Sequence, residues 1–148
     1  MRVVLNPTIT RFEKALLDAL LDGPLDILGL LRAQVRTART VSRELSGVGF
    51  FLNFEVPAAI PRVMPPNFEI SDVYFDLEGA EHGGGAILFV REGVITMLEA
   101  YAHAENWPDD TGDFMIRYFD GAVRSMAKVE AEILSRSRPD RRGTPGPA

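Results

Sequence analysis

The strongest constraint on the fold is a run of strand-like patterns between Val48 and Ala104. The clearest stretch is Phe68 to Glu78, in whose second half apolar residues alternate with polar ones. In a second stretch, residues 86–90, every residue is apolar. A period of two is typical of a β-strand with one buried face, and a short unbroken apolar run indicates a strand buried on both faces. We therefore expect a sheet at the centre of the protein.

Helical patterns flank this run on both sides. Thr10 and Glu13 form a capping-box pattern, followed by apolar residues at helical spacing until Asp22-Gly23. Pro24 suits the first turn of a second helix, and Asp120 is expected to be the N-cap of a last one. Strands are predicted over Arg39–Leu45, Phe50–Val56, Phe68–Glu78, Ala86–Val90, Val94–Ala102 and, as a short sixth, Phe114–Phe119.

Helices followed by strands and then a helix predict an α+β fold. We expect two N-terminal helices, an antiparallel meander of about five strands and a C-terminal helix, with the helices on one face of the sheet. The proline-rich segment from Pro57 to Pro66 would cross the surface, since proline does not pair inside a sheet. Residues 1–134 would form one domain, and the basic segment 135–148 is expected to be disordered.

Composition excludes several classes of site. The chain of 148 residues contains no cysteine, which rules out disulfides, thiolate catalysis and cysteine-ligated zinc. No window approaches the roughly 18 apolar residues of a membrane span, and the first residues lack the pattern of a signal peptide. We therefore expect a cytoplasmic protein of bacterial type without a membrane partner.

Charge is distributed unevenly along the chain. The net charge is −5, and the segment from Phe54 to Asp113 carries twelve acidic residues against two basic ones, Arg62 and Arg91. Phosphate binding needs a basic surface, so the sheet region is not expected to bind nucleic acid. An acidic face attracts a basic protein or a cation, or it simply keeps the protein soluble.

The only two histidines are predicted to meet in one hairpin. A two-residue turn at Glu92-Gly93 would place His82 opposite His103, with Cβ atoms roughly 4.5–5.5 Å apart. This distance allows two imidazoles to share a metal ion, and Glu81 and Glu105 are candidate further ligands. A bulge at the adjacent glycines or a three-residue turn would destroy the pairing, and both histidines would then be ordinary polar residues at a sheet edge.

Glu99 lies on an apolar strand face, so it is expected to be partly buried. A buried carboxylate needs a partner, because an isolated buried charge is costly. Arg43 lies on the apolar face of its own strand and has the same difficulty. If both strands belong to one sheet, an Arg43–Glu99 ion pair would satisfy both side chains; an edge position that faces solvent is the alternative. At the wall of a cleft, Glu99 would instead be a candidate general acid or base, together with His82 and His103.

Three side chains are candidate binding residues. Tyr74 lies among carboxylates on the sheet face that the helices are expected to leave open, either to solvent or to a partner. Trp107, the only tryptophan, would stack on a ligand or pack over a sheet edge. Arg43 is the third candidate, as a cation on an apolar strand face.

Five short segments carry a resemblance to other proteins: Ser46 to Phe51, Leu77 to Gly79, His82 to Gly84, Leu88 to Gly93 and Leu98 to Tyr101. In this order they resemble a group of small bacterial proteins of uncharacterised activity. The resemblance covers roughly residues 36–108 and implies a shared arrangement of strands and turns. It implies no activity, cofactor or catalytic residue.

These observations favour a non-catalytic binding domain that binds a protein partner or a copy of itself. The sequence contains no P-loop, no serine elbow and no histidine motif with metal-ligand spacing, and no cofactor is predicted. The alternative is a small metal-dependent or acid/base enzyme centred on His82, His103 and Glu99.

Overall fold

The computed structural model describes residues 2–104, 106–108 and 111–135. The helices in these ranges are α1 (Arg11–Leu20), α2 (Asp26–Thr37) and α3 (Met126–Leu134). The strands are β1 (Arg2–Leu5), β2 (Arg39–Leu45), β3 (Gly49–Glu55), β4 (Phe68–Leu77), β5 (Ala80–Arg91), β6 (Val94–Ala102) and β7 (Phe114–Tyr118). Segment 136–148, which holds nearly all of the predicted disordered tail, lies outside the described residues.

The strands form one antiparallel sheet in the order β1-β2-β3-β6-β5-β4-β7. The predicted α+β class is thus confirmed. The described ranges contain seven strands rather than about five, and the sheet is not a simple meander because β3 pairs with β6. The proline-rich segment from Pro57 to Pro66 carries the chain from β3 to β4 and leaves β5 and β6 between these two strands.

Helix placement differs from the prediction at both ends of the fold. β1 precedes α1, so the first two helices are not its first elements. The predicted N-cap at Asp120 is wrong, because α3 is capped by Ser125, whose hydroxyl accepts a hydrogen bond from the Lys128 amide. Asp120 lies instead in a turn that Tyr118 and Gly121 close with backbone hydrogen bonds of 2.8 and 2.9 Å. This turn takes up the residues that were expected to begin the helix.

The three helices pack on one face of the sheet. The predicted capping box begins α1: the Thr10 hydroxyl accepts from the Glu13 amide at 3.1 Å, and the Glu13 carboxylate accepts from the Thr10 amide at 2.9 Å. Each helix buries apolar side chains in the same core, among them Phe12, Leu16, Leu20, Leu28, Leu31 and Val129. Removal of this apolar surface from water is the main term that holds helices to sheet.

We call the opposite face of the sheet the open face. It carries no helix of the described chain. A second apolar cluster is nevertheless buried there: Phe51, Ile87, Phe89 and Met97. Polar neighbours shield it, since the Arg91 guanidinium lies 5.4 Å from the Phe89 ring centroid and pairs with Glu69 at 3.0 Å. Long side chains of this kind cover apolar surface with their stems while the charge stays near water.

Candidate functional site

The predicted turn at Glu92-Gly93 organises the hairpin of β5 and β6. Both residues have positive φ, 53° and 80°, as a two-residue turn of type I′ requires. Arg91 pairs with Val94 directly beside the turn. The hairpin therefore starts in the predicted register.

A β-bulge in β6 then shifts the register by one residue. Val90 pairs with Ile95, whereas Phe89 pairs with Met97, so Thr96 is the extra residue. The Thr96 hydroxyl donates to the Phe89 carbonyl oxygen at 3.1 Å and stabilises the bulge. All later residues of β6 lie one position away from their partners in an unbulged hairpin.

The predicted opposition of His82 and His103 is wrong because of this bulge. Gly84 pairs with Ala102, and the His103 amide donates to the Gly83 carbonyl oxygen at 2.9 Å. The histidines meet differently, since the His103 ring atom Nδ1 lies 3.2 Å from the backbone oxygen of His82. The two imidazoles are thus not a cross-strand pair.

The predicted metal site was based on the direct opposition of His82 and His103, which the observed register does not have. Both histidines and Glu81 are exposed, and Glu105 lies outside the described residues. Within residues 2–104, 106–108 and 111–135, no three His, Asp or Glu side chains are grouped so that they would hold a metal ion. The hairpin brings its two histidines near each other through backbone pairing and through the contact of the His103 ring with the His82 backbone oxygen.

Arg43 pairs with Glu13 of α1 and not with Glu99. Its Nε and Nη2 atoms donate to the two carboxylate oxygens of Glu13 at 2.6 and 2.7 Å, and Glu13 is buried. Arg43 lies opposite Leu52, whereas Glu99 lies opposite Phe51, so the two side chains point to opposite faces of the sheet. The predicted Arg43–Glu99 pair is therefore wrong, and Arg43 joins α1 to β2.

Glu99 lies at the centre of the open face. Its register neighbours are Phe51 on β3 and Ile87 on β5, both members of the second apolar cluster, and Glu99 itself is 7% exposed. A substrate would reach this carboxylate only after neighbouring side chains had moved. The general acid or base role of Glu99 stays a prediction.

Trp107 packs into the core at one end of the sheet. Its ring centroid lies 5.6 Å from that of Phe50, 5.8 Å from that of Phe75 and 6.0 Å from that of Phe12. Its backbone amide donates to the Gly47 carbonyl oxygen at 2.7 Å, which fixes the segment after β6 to the turn between β2 and β3. Of the two predicted roles, the contacts describe packing over the sheet.

Four aromatic side chains, Tyr74, Tyr101, His103 and Phe119, form what we call the aromatic cluster. The Tyr74 ring centroid lies 6.1 Å from that of His103 and 6.2 Å from that of Phe119, and Tyr101 lies 5.8 Å from His103. Centroid separations of this size are typical of interacting aromatic pairs. Tyr74 lies on β4, Tyr101 on β6, His103 directly after β6 and Phe119 in the turn after β7.

Gly85 allows this cluster to form. It pairs with Tyr74 on one side and with Tyr101 on the other, so all three lie on the open face. A Cβ atom at position 85 would collide with the Tyr101 hydroxyl, which shows that the Tyr101 ring lies across the glycine. Glycine at this position therefore leaves space for the Tyr101 side chain and does not serve an unusual backbone conformation.

Cations border the aromatic cluster. The Arg117 guanidinium lies 5.7 Å from the Tyr74 ring centroid, and the Lys128 ammonium lies 3.8 Å from that of Phe119. Arg117 also contacts Asp76 at 3.7 Å, and Lys128 contacts Asp120 at 3.2 Å, with all four side chains substantially exposed. Such exposed pairs are weak, so the cations remain available to a partner.

Comparison with models of known protein families, with curated proteins and with solved structures finds no match for this chain. In the described ranges no helix has the length and apolar character needed to cross a membrane. The functional argument therefore rests on the geometry of the open face.

Proposed function

We propose that this protein is a non-catalytic binding domain whose aromatic cluster binds an extended segment of a protein partner. The observation that carries the proposal is an aromatic surface beside β7, which is the outermost strand on this side of the sheet in the part of the chain that the structure describes. Aromatic residues, Met and Arg are the types enriched in protein interfaces. The cluster and its border consist largely of these types: Tyr74, Tyr101, Phe119, Met115 and Arg117.

The backbone of β7 supports binding of an added strand. The Glu78 amide donates to the Asp113 carbonyl oxygen, and the Phe119 amide donates to the Asp72 carbonyl oxygen. Because the backbone groups of alternate residues point to opposite sides of an antiparallel strand, those of Ile116 point away from β4. A partner strand paired at this edge would bind these groups, which is a common mode of peptide recognition.

The side chains along this edge indicate the partner's chemistry. A strand beside β7 would place side chains next to Met115 and Arg117 and would end beside Phe119, because Gly121 already pairs with the outward backbone groups of Tyr118. Apolar side chains fit against Met115 and Phe119, which are 68% and 62% exposed. A carboxylate fits beside the Arg117 guanidinium. We expect a segment in which an acidic residue lies between two apolar residues at alternate positions.

Selection from a library of displayed random peptides tests the proposal. The protein should enrich peptides with the apolar–acidic–apolar pattern. Phe119→Ser should weaken binding of an enriched peptide by about tenfold or more, because it removes an exposed aromatic ring that the peptide contacts. Fluorescence anisotropy of the labelled peptide measures this loss.

Val123→Ser is the matched control, because Val123 is 79% exposed and lies outside the aromatic cluster. This variant should bind the enriched peptide as tightly as the original protein. Arg117→Gln should weaken binding of the acidic peptide but not of its glutamine analogue. Equal losses in Phe119→Ser and Val123→Ser, or enrichment of peptides without the pattern, would contradict the proposal.

A further inference from the structure

We infer that two copies of this chain associate by antiparallel pairing of their β1 strands. This inference concerns the sheet edge opposite to β7 and does not depend on the proposed function. Among the strands of the described residues, β1 is the outermost on its side of the sheet, so one side of its backbone faces away from β2. Three features of β1 point to a second β1 as the occupant of that edge.

The first reason is the direction of the backbone groups. The Asn6 amide donates to the Val41 carbonyl oxygen at 2.8 Å, so it points toward β2. In a trans peptide the preceding carbonyl points the opposite way, which directs the Leu5 carbonyl outward. Alternation along the strand then directs both backbone groups of Val3 outward as well. Two residues of β1 thus present donors and acceptors to an added strand.

The second reason is the apolar character of this edge. Val3 is 51% exposed and Leu5 is 72% exposed, and both lie on the open face. Natural edge strands are usually protected from pairing by lysine, proline or inward-pointing charges. The neighbouring strand β2 carries charged residues. The two positions of β1 whose backbone groups point outward carry only the apolar side chains of Val3 and Leu5.

The third reason is self-complementarity. If Val4 lies on a two-fold axis opposite Val4 of the second copy, then Val3 lies opposite Leu5 in both directions. The outward amide and carbonyl of Val3 then pair with those of Leu5 in the second copy, and those of Leu5 pair with Val3 of the second copy, because the hydrogen-bonded positions coincide. Arg2 falls opposite Asn6, so no like charges are directly opposed.

The two-fold axis would be perpendicular to the plane of the sheet, so the open faces of both copies would lie on the same side of the joined sheet. The two seven-stranded sheets would become continuous across the β1 strands. The aromatic clusters would lie near the outer edges of the joined sheet, because β7 is the strand farthest from β1.

Light scattering at several protein concentrations tests whether the pair forms. We expect the mass of two chains at high concentration and of one chain after dilution, as for a small interface of moderate affinity. Val3→Pro removes an outward amide while the inward hydrogen bonds of β1 remain, so this variant should stay a single chain at every concentration. Leu5→Lys, which keeps the backbone unchanged, should have the same effect.

Single-cysteine variants test the register, because the chain contains no cysteine. Val4→Cys should form a disulfide-linked pair under mild oxidation, since opposed residues on the axis have close Cβ atoms. Val48→Cys is the control, as Val48 is 50% exposed and lies outside β1. A one-chain mass for the original protein at all concentrations, a two-chain mass that persists in both β1 variants, or equal crosslinking of the two cysteine variants would overturn the inference.

Discussion

Arg124 binds Asp72 through two hydrogen bonds of 2.9 Å, and the two side chains are only 4% and 8% exposed. The same guanidinium donates to the carbonyl oxygens of Leu20 at 2.8 Å and Asp22 at 2.6 Å, at the end of α1. One side chain therefore connects β4, the end of α1 and the segment before α3. It also satisfies carbonyl groups that a helix end leaves without a partner in the helix.

Arg124→Met should lower the free energy of unfolding by about 3–5 kcal/mol, because it leaves the buried Asp72 carboxylate without its cation. Urea denaturation measures the change. Lys14→Met is the control, since Lys14 pairs with Asp18 at 3.0 Å but both side chains are 66% exposed. That variant should change the free energy of unfolding by less than about 1 kcal/mol. Similar losses in the two variants would contradict the role assigned to Arg124.

Gln34→Leu should destabilise the protein by about 1–3 kcal/mol. Gln34 is fully buried, its side-chain amide donates to the carbonyl oxygens of Gly93 at 2.9 Å and Pro61 at 3.1 Å, and its carbonyl accepts from the Ile95 amide at 2.9 Å. Leucine fills the space but removes the acceptor of the Ile95 amide and the donor to the Pro61 carbonyl, while the Gly93 carbonyl keeps only the hydrogen bond from the Val63 amide. The hydrogen-exchange rate of the Ile95 amide should increase by more than the loss of global stability alone would cause. An unchanged exchange rate would contradict the prediction.

Gly84→Ala and Gly85→Ala should differ, although the two glycines are neighbours. A Cβ at position 84 would collide with the backbone oxygen of Tyr101, whereas one at position 85 meets only the end of the Tyr101 side chain. Backbone cannot yield as a rotatable ring can, so Gly84→Ala should cost about 2–3 kcal/mol more than Gly85→Ala. Thermal unfolding of both variants gives the comparison, and equal midpoints would contradict it.

Local elements of this fold are predictable from the sequence, whereas their pairing is less so. The bounds of β2 and β6 coincide with the predicted strands Arg39–Leu45 and Val94–Ala102. β1 escapes prediction because four residues become a strand only by pairing with β2, far along the chain. The bulge at Thr96 leaves no local signal, since threonine is also common at regular strand positions.

The candidate site shows the same limit. Tyr74 is the member of the aromatic cluster that the sequence marks as a binding residue, because its neighbours along the strand are carboxylates. Tyr101 and Phe119 join it only through the pairing of β4 with β5 and β7 and of β5 with β6. The partner of Arg43 is likewise missed, because Glu13 reaches β2 only when α1 packs on the sheet.

The stability of the protein should fall as the pH rises above the ordinary pKa of tyrosine, in part because of Tyr118. Burial raises the pKa of Tyr118 above its usual value of 10.0, with Asp22 and Asp72 acting in the same direction and Arg124 against it. Its hydroxyl donates to the Ala19 carbonyl oxygen at 2.8 Å, a bond that needs the proton. The unfolded chain loses this proton first, so above that pH it binds fewer protons than the folded chain and the free energy of unfolding decreases.

Tyr118→Phe should lower stability at neutral pH by about 1 kcal/mol and make the alkaline decline shallower. Urea denaturation as a function of pH measures both effects, and an alkaline decline that is equally steep in the original protein and in Tyr118→Phe would contradict the assignment.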